Sequence, residues 1–261
     1  RKELFKGLAI EKLEKNWTEH PVLHLDLTGN RYLTVADLYE KFELHLDRWE
    51  TLYGRQGNYV SPSSRFDAVI DSAYRKTGQK VVILIDEYDK PVVDNIDNPE
   101  LMDSFRRELQ GFYSVIKNKD GFIRFAFLTG VTKFGKMSIF SGLNNLTDIS
   151  MDLEYSDICG VSEDELKSYF NDSVEKLAEN NGLSKDECYA KLKLMYDGYH
   201  FSRRNMVDVF NPFSLITALA DSDLKNYWAS SGATSLLPKF VDDMEIRLKD
   251  FDHSALLGTI I

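Results

Sequence analysis

Val81-Val82-Ile83-Leu84-Ile85-Asp86-Glu87 is an apolar, largely β-branched run that stops abruptly at two adjacent carboxylates. Five consecutive apolar residues without period-2 alternation predict a strand covered on both faces, as in a parallel sheet flanked by helices. Open α/β sheets take their ligands outside the carboxyl ends of the strands. A carboxylate at that edge suits a metal-phosphate site: Asp86 is placed to hold Mg²⁺, and Glu87 to polarise a water that attacks a γ-phosphate. A buried strand running into an acidic loop is the competing account of the same seven residues.

Outward from this run, alternation of elements supports the same fold class. Val22-Leu23-His24-Leu25-Asp26-Leu27 reads as a strand and Thr28-Gly29-Asn30 as a turn. Thr34 caps a helix to about Tyr53, with Val35, Leu38, Phe42, Leu46 and Trp49 on one buried face. Ser61 or Ser63 opens the next helix and Gly78 ends it. Pro99 fits the first turn of a helix to about Lys119, and Ile123 to Leu128 forms a further strand closed by Thr129-Gly130. Strands separated by amphipathic helices are the pattern of βαβ crossovers and a mainly parallel sheet. Beyond Gly160 the pattern becomes helical: Ser162-Glu163-Asp164-Glu165 starts one helix, Ser184 to Met195 reads as another, and Asn211-Pro212 opens a third through Ala220. The expected organisation is a sheet domain over 1–160 and a helical domain over 161–261.

Composition bounds the rest. The 261 residues are 43% hydrophobic and 12% aromatic, enough for a sizeable core. A net charge of −10 argues against a general nucleic-acid surface. The two cysteines, Cys159 and Cys188, offer no disulfide framework, and with the five histidines they form no metal-ligand spacing. No apolar run approaches the ~20 residues of a membrane span and no signal peptide opens the chain, so a cytoplasmic location is expected. Arg1 at the start and the apolar Leu256 to Ile261 at the end read as cut ends, which makes the chain an expected fragment.

Gly130-Val131-Thr132-Lys133-Phe134-Gly135-Lys136 has the spacing of a phosphate-cradling P-loop, but Met137 stands where a hydroxyl residue is needed and the segment follows the acidic strand instead of preceding it. Its better reading places Thr129, Thr132 and Lys133 at a neighbouring strand end, where they stabilise or sense phosphate charge.

Taken in order, His24-Leu25-Asp26-Leu27, Ile85-Asp86-Glu87-Tyr88-Asp89, Leu128-Thr129-Gly130-Val131-Thr132-Lys133, Tyr196-Asp197-Gly198-Tyr199-His200-Phe201, Asn211-Pro212-Phe213-Ser214 and Tyr227-Trp228-Ala229-Ser230-Ser231-Gly232 resemble the bacterial predicted AAA-ATPase-like proteins. The resemblance covers nearly the whole chain. It implies a P-loop NTPase-like fold in which the acidic strand is the Walker B element, Asp86 the Mg²⁺ ligand, Glu87 the base, and Thr129 to Lys133 the sensor-1 region. ATP and Mg²⁺ are the implied cofactors: Asp86, Glu87 and Thr132 contact them, and Glu87, Thr129 and Lys133 take part in hydrolysis. It also implies a Walker A loop upstream of Arg1-Lys2-Glu3-Leu4-Phe5, absent here, and a PD-(D/E)xK nuclease-like domain downstream. Loss of the Walker A strand is expected to leave two neighbouring strands unpaired, to lower stability and to make the fragment a poor ATPase. Arg203-Arg204 reads as a solvated basic turn or as a finger to the γ-phosphate. Two rival functions are a nucleotide-dependent switch without significant hydrolysis and a DNA-handling accessory with a winged-helix-like surface.

Overall fold

The structure, a computed structural model, describes residues 1–130, 139–140, 144–199, 201 and 208–227. The chain divides into two compact units, Arg1–Leu146 and Thr147–Ile261, so the division falls N-terminal to the Gly160 expected from the sequence.

In the first unit, a short α1 (Ala9–Leu13) precedes β1 (Val22–Asp26), α2 (Val35–Tyr53), α3 (Pro62–Thr77), β2 (Val81–Asp86), α4 (Lys90–Val93), α5 (Pro99–Asn118) and β3 (Ile123–Leu128). The helix limits follow the local chemistry. The Asp37 carboxylate accepts the Thr34 N–H at 2.7 Å, which satisfies a donor that the start of α2 would otherwise leave open. Ser61 Oγ accepts the Ser64 N–H at 3.2 Å, and Gly78, with φ +67°, ends α3 by donating its N–H to Tyr74 O at 2.8 Å. Leu38, Phe42, Leu46 and Trp49 are buried along α2, as their spacing requires. The rings of Phe42 and Phe66 stack on Phe112 at 4.1 and 4.6 Å, joining α2, α3 and α5 through one aromatic column. Arg65 of α3, only 4% exposed, ties α3 to α2: its guanidinium donates to both oxygens of Glu50 at 2.8 and 2.7 Å, to Asp47 at 2.6 Å and to Glu43.

The three strands are parallel in the order β1-β2-β3. β1 and β2 run in step from Val22 opposite Val82 to Asp26 opposite Asp86. Against β3 the register slips between Val81 and Val82, so Val81 meets Ile123 but Val82 meets Phe125, and Ile85 meets Leu128. That one-residue slip decides which β3 side chains share each face, because strand side chains alternate. β2 is hydrogen-bonded on both sides, and β1 and β3 are the outer strands of the described sheet. One expectation is corrected here. β2 is not covered on both faces: Val81, Ile83 and Ile85 are buried, but Val82 and Leu84 are half-buried, and Phe125 beside Val82 is 53% exposed. The apolar run hid an alternation in burial because residues on both faces happen to be aliphatic.

The second unit contains α6 (Glu163–Tyr169), α7 (Asn171–Asn180), α8 (Lys185–Tyr196) and α9 (Pro212–Asp221). Ser162 with Glu165 and Ser184 with Glu187 form the capping boxes that start α6 and α8, and Asn211 Oδ1 accepts the Ser214 N–H at 2.9 Å to start α9. Leu166, Val174, Leu177, Cys188, Leu192 and Phe210 belong to its core. Val161 pairs antiparallel with Phe210, and Tyr199 with Val209. A Cβ on Gly160 would stand 2.3 Å from that of Val209, so this backbone crossing admits only glycine. His200, Arg203, Arg204 and Trp228 lie outside the described residues.

Among the described residues, no helix is long and apolar enough to cross a membrane.

Candidate functional site

The parallel register assembles a row of polar groups at the carboxyl edge of the sheet. Asp26 and Asp86 are register partners at the ends of β1 and β2. Thr129, the residue after β3, donates its hydroxyl to Asp86 Oδ1 at 2.5 Å, and its N–H to Ile85 O at 2.9 Å. The slip in β3 makes this contact: without it Leu128, not Thr129, would stand level with Asp86. Asp86 itself is exposed. Asp26 accepts the Thr28 N–H at 2.7 Å, and the Thr28 side chain first, with burial opposing it and the Thr28 N–H, Lys41 and His24 adding to it, holds its carboxyl below the usual range.

Glu87 turns the chain out of β2. Its φ of +51° lies in the left-handed region, which costs a non-glycine residue roughly 1–2 kcal/mol. The turn is held in place by neighbours: Tyr88 N–H donates to Thr129 O at 2.9 Å, Lys90 N–H to Glu87 O at 3.0 Å, and Tyr113 O–H to Tyr88 O at 3.0 Å. A strained acidic residue held by its surroundings is the form that functional sites commonly take. Burial pushes the Glu87 carboxyl up; Lys90 opposes this, and Asp86, Asp89 and Asp94 add to it. Lys90 also pairs with Asp94 at 3.0 Å. Asp89 is fully buried, and beside it Gly130 has no room for a side chain: a Cβ there would lie 2.5 Å from Tyr88 Cε1 and 2.6 Å from Asp89 Oδ1.

Of the residues singled out in the sequence, Asp86, Glu87 and Thr129 therefore meet at one edge, and Thr132 and Lys133 lie outside the described residues. Asp26, which the sequence marks as a residue of the first strand and of the His24-Leu25-Asp26-Leu27 piece of the resemblance but not as a site residue, joins that edge through its pairing with Asp86. The available signal was its place in Leu25-Asp26-Leu27-Thr28, a carboxylate closing a strand just as Asp86 does. No described group of three or more His, Cys, Asp or Glu side chains is arranged to hold a metal. The donor set nevertheless fits Mg²⁺, which prefers oxygen and is commonly bound by one or two carboxylates with the remaining positions filled by water and substrate phosphates.

A small parallel sheet flanked by helices, with acid and hydroxyl at its carboxyl edge, defines an α/β protein compatible with the P-loop-like class. The chain belongs to the predicted AAA-ATPase family, whose model matches residues 1–140. It is also similar to a protein of Azotobacter chroococcum mcd 1 described as an uncharacterized protein in the vnfD 5' region, with 37% identity over 235 residues. The alignment covers 90% of this chain and 43% of that relative, so the chain spans less than half of the relative's length. No solved structure matches.

Proposed function

We propose that the carboxyl edge of β1, β2 and β3 binds ATP with Mg²⁺ and contributes to hydrolysis of the γ-phosphate. The observation that carries this reading is the Thr129 hydroxyl on Asp86 Oδ1, a cross-strand contact that fixes a solvent-facing carboxylate at the ligand-binding edge of a parallel sheet. One carboxylate oxygen is engaged by Thr129, which orients the group and leaves the other to face the metal.

Asp86 holds Mg²⁺ in this proposal, with Asp26 contributing negative charge from the adjoining strand. When bound, Mg²⁺ neutralises the phosphate oxygens on which charge develops. The edge needs such a cation, since Asp26, Asp86, Glu87, Asp89 and Asp94 would repel a bare triphosphate. Glu87 accepts a proton from the attacking water at its carboxylate. Burial favours that role, because a base with a raised pKa takes up a proton more readily. Thr132 and Lys133 contribute a hydroxyl and a cation toward the γ-phosphate.

ATP turnover and binding of a fluorescent ATP analogue, measured on the protein as its gene encodes it, test the proposal. Asp86→Ala is expected to weaken Mg²⁺-dependent nucleotide binding, and Glu87→Gln to retain binding while lowering turnover at least ~10²-fold, the lower range for a positioned general base. Equal turnover in the parent and both variants would remove the mechanism. Binding with no turnover in any of them would leave a nucleotide-dependent switch.

A further inference from the structure

One hydrogen-bonded path ties together the two chain segments that leave the carboxyl edge from β1 and β2. Leu27, one residue past β1, donates its N–H to Asp86 O at 3.1 Å and so extends the β1–β2 ladder to the level of Asp86. Its own carbonyl accepts the Tyr32 hydroxyl at 2.8 Å, and the Tyr32 carbonyl accepts Asn95 Nδ2 at 2.7 Å, across 63 positions of the chain. Asn95, in the turn after α4, donates from the same amide nitrogen to Pro91 O at 2.8 Å. One side chain therefore holds the loop that follows Asp26 against the segment that lies between Glu87 and Asp94. Lys41 of α2 adds a further tie, donating to Thr28 O at 2.9 Å.

The surroundings of this path are acidic. Tyr32 is 1% exposed and its ring packs edge-on against Phe105 at 6.1 Å. Burial first, then the charges of Asp94, Asp26 and Glu87, push its hydroxyl above the usual range, so at neutral pH it keeps the hydrogen it directs at Leu27 O. Asp86, Asp89 and Asp94 in turn bear on Glu87, and Asp26 stands beside Asp86 in register. Like charges gathered in this way repel, and the last rung of the ladder, between Leu27 and Asp86, is where that repulsion would open the strand pair first. Ion pairs at the same places would hold the segments but quench the charge that attracts a cation. An amide and a phenol hold them and leave the charge intact.

We infer that Asn95 and Tyr32 are positioning residues for the carboxyl edge, holding the Asp26 loop and the Asp86-Glu87 turn together against their mutual repulsion so that Mg²⁺ with nucleotide meets a preformed set of oxygens. The inference rests on the ATP and Mg²⁺ reading above. Preformed groups bind more tightly because less ordering is left to accomplish. Mg²⁺ offsets the same repulsion when bound, so loss of the ties shows first as a need for more of it.

Binding of a fluorescent ATP analogue across a Mg²⁺ titration, on the protein as its gene encodes it, tests this together with amide hydrogen exchange in the absence of nucleotide. Asn95→Leu should raise the Mg²⁺ concentration at half-saturation by roughly fivefold to tenfold, the effect of one or two lost hydrogen bonds, and Tyr32→Phe should raise it severalfold. Turnover at saturating Mg²⁺ should return close to that of the parent. In both variants the Leu27 N–H should exchange about tenfold faster, while the Val82 N–H, bonded to Pro21 O at 2.8 Å at the other end of the same strand pair, keeps its rate. Gly78→Ala, at φ +67° with open space around it, should lower the thermal midpoint from the far end of β2 and leave the Mg²⁺ requirement alone; a purely structural Asn95 or Tyr32 would behave in the same way. Absence of Mg²⁺-dependent nucleotide binding in the parent overturns the ATP reading and this inference with it. Binding by the parent with an unchanged Mg²⁺ requirement in both variants, or with an unchanged Leu27 exchange rate, overturns the inference alone.

Discussion

Thr129 Oγ1 lies 2.5 Å from Asp86 Oδ1, although 43 positions separate the two residues in the chain. A hydrogen bond to a charged group contributes about 1.5–3 kcal/mol when well shielded, and exposure of Asp86 reduces that. Thr129→Val, which keeps the shape of the side chain, is therefore expected to cost about 1 kcal/mol, read as a lower urea midpoint at unchanged slope. A midpoint equal to that of the parent would show that the contact contributes nothing.

Glu87 combines a left-handed backbone with a proposed chemical role, and glycine at that position separates the two. Glu87→Gly relieves the conformational cost and is expected to raise stability by about 1 kcal/mol. Turnover should fall at the same time. A variant that is both less stable and fully active contradicts the account.

The pH dependence of stability reports on the same side chain. Burial raises the folded-state pKa of Glu87 above its unfolded value, so its favourable contribution is complete below about pH 4.3 and is lost as pH rises through the folded pKa. Glu87→Gln, which cannot ionise, should be more stable than the parent at pH 7. The difference should close as pH falls through the carboxylate range, followed by thermal melts at intervals between pH 7 and about 4. A gap that widens on acidification reverses the sign and refutes the cause.

Gly130 and Gly121 give a matched pair. A methyl group at Gly130 would meet the Tyr88 ring and the Asp89 carboxylate at 2.5 and 2.6 Å, whereas at Gly121 nothing lies within 4 Å. Gly130→Ala is expected to lose roughly 2 kcal/mol or more, in the range of overpacking, and Gly121→Ala to stay within about 0.5 kcal/mol of the parent. Denaturant unfolding of the two variants compares them directly.

Arg65 anchors α3 to a buried carboxylate, Glu50. Arg65→Met leaves that charge without its partner and should cost about 3–5 kcal/mol, and the double variant with Glu50→Gln should recover part of the loss. Glu43 and Asp47 are more exposed and their pairing with Arg65 adds less. Additive losses in the two single variants would mean that the pair is not coupled.

Much of this fold is legible in the chain because local rules and tertiary packing agree. Ser61, Gly78 and Pro99 mark helix limits through chemistry confined to a turn, and the stripe from Leu38 to Trp49 has only one face to bury. The acidic end of β2 is legible for the same reason. The cover on β2 is not, since Val82 and Leu84 are as aliphatic as the buried Ile83 and Ile85 that alternate with them. Nor is the alignment of Thr129 with Asp86, which depends on a slip between Val81 and Val82 that no side chain announces. Asp26 joins the site only through strand pairing, a relation between positions sixty residues apart.

The slip has a second effect. By turning Phe125 and Phe127 toward the same side as Val82 and Leu84, it gives one flank of the sheet an oily surface whose two rings stack at 6.1 Å. Mutual repulsion among molecules of charge −10 opposes adhesion through that flank at neutral pH, but near the isoelectric point of about 5.1 the repulsion vanishes. Mild acid should therefore drive the molecules together before it unfolds them, and light scattering would register clumping while the circular dichroism spectrum still shows intact helices.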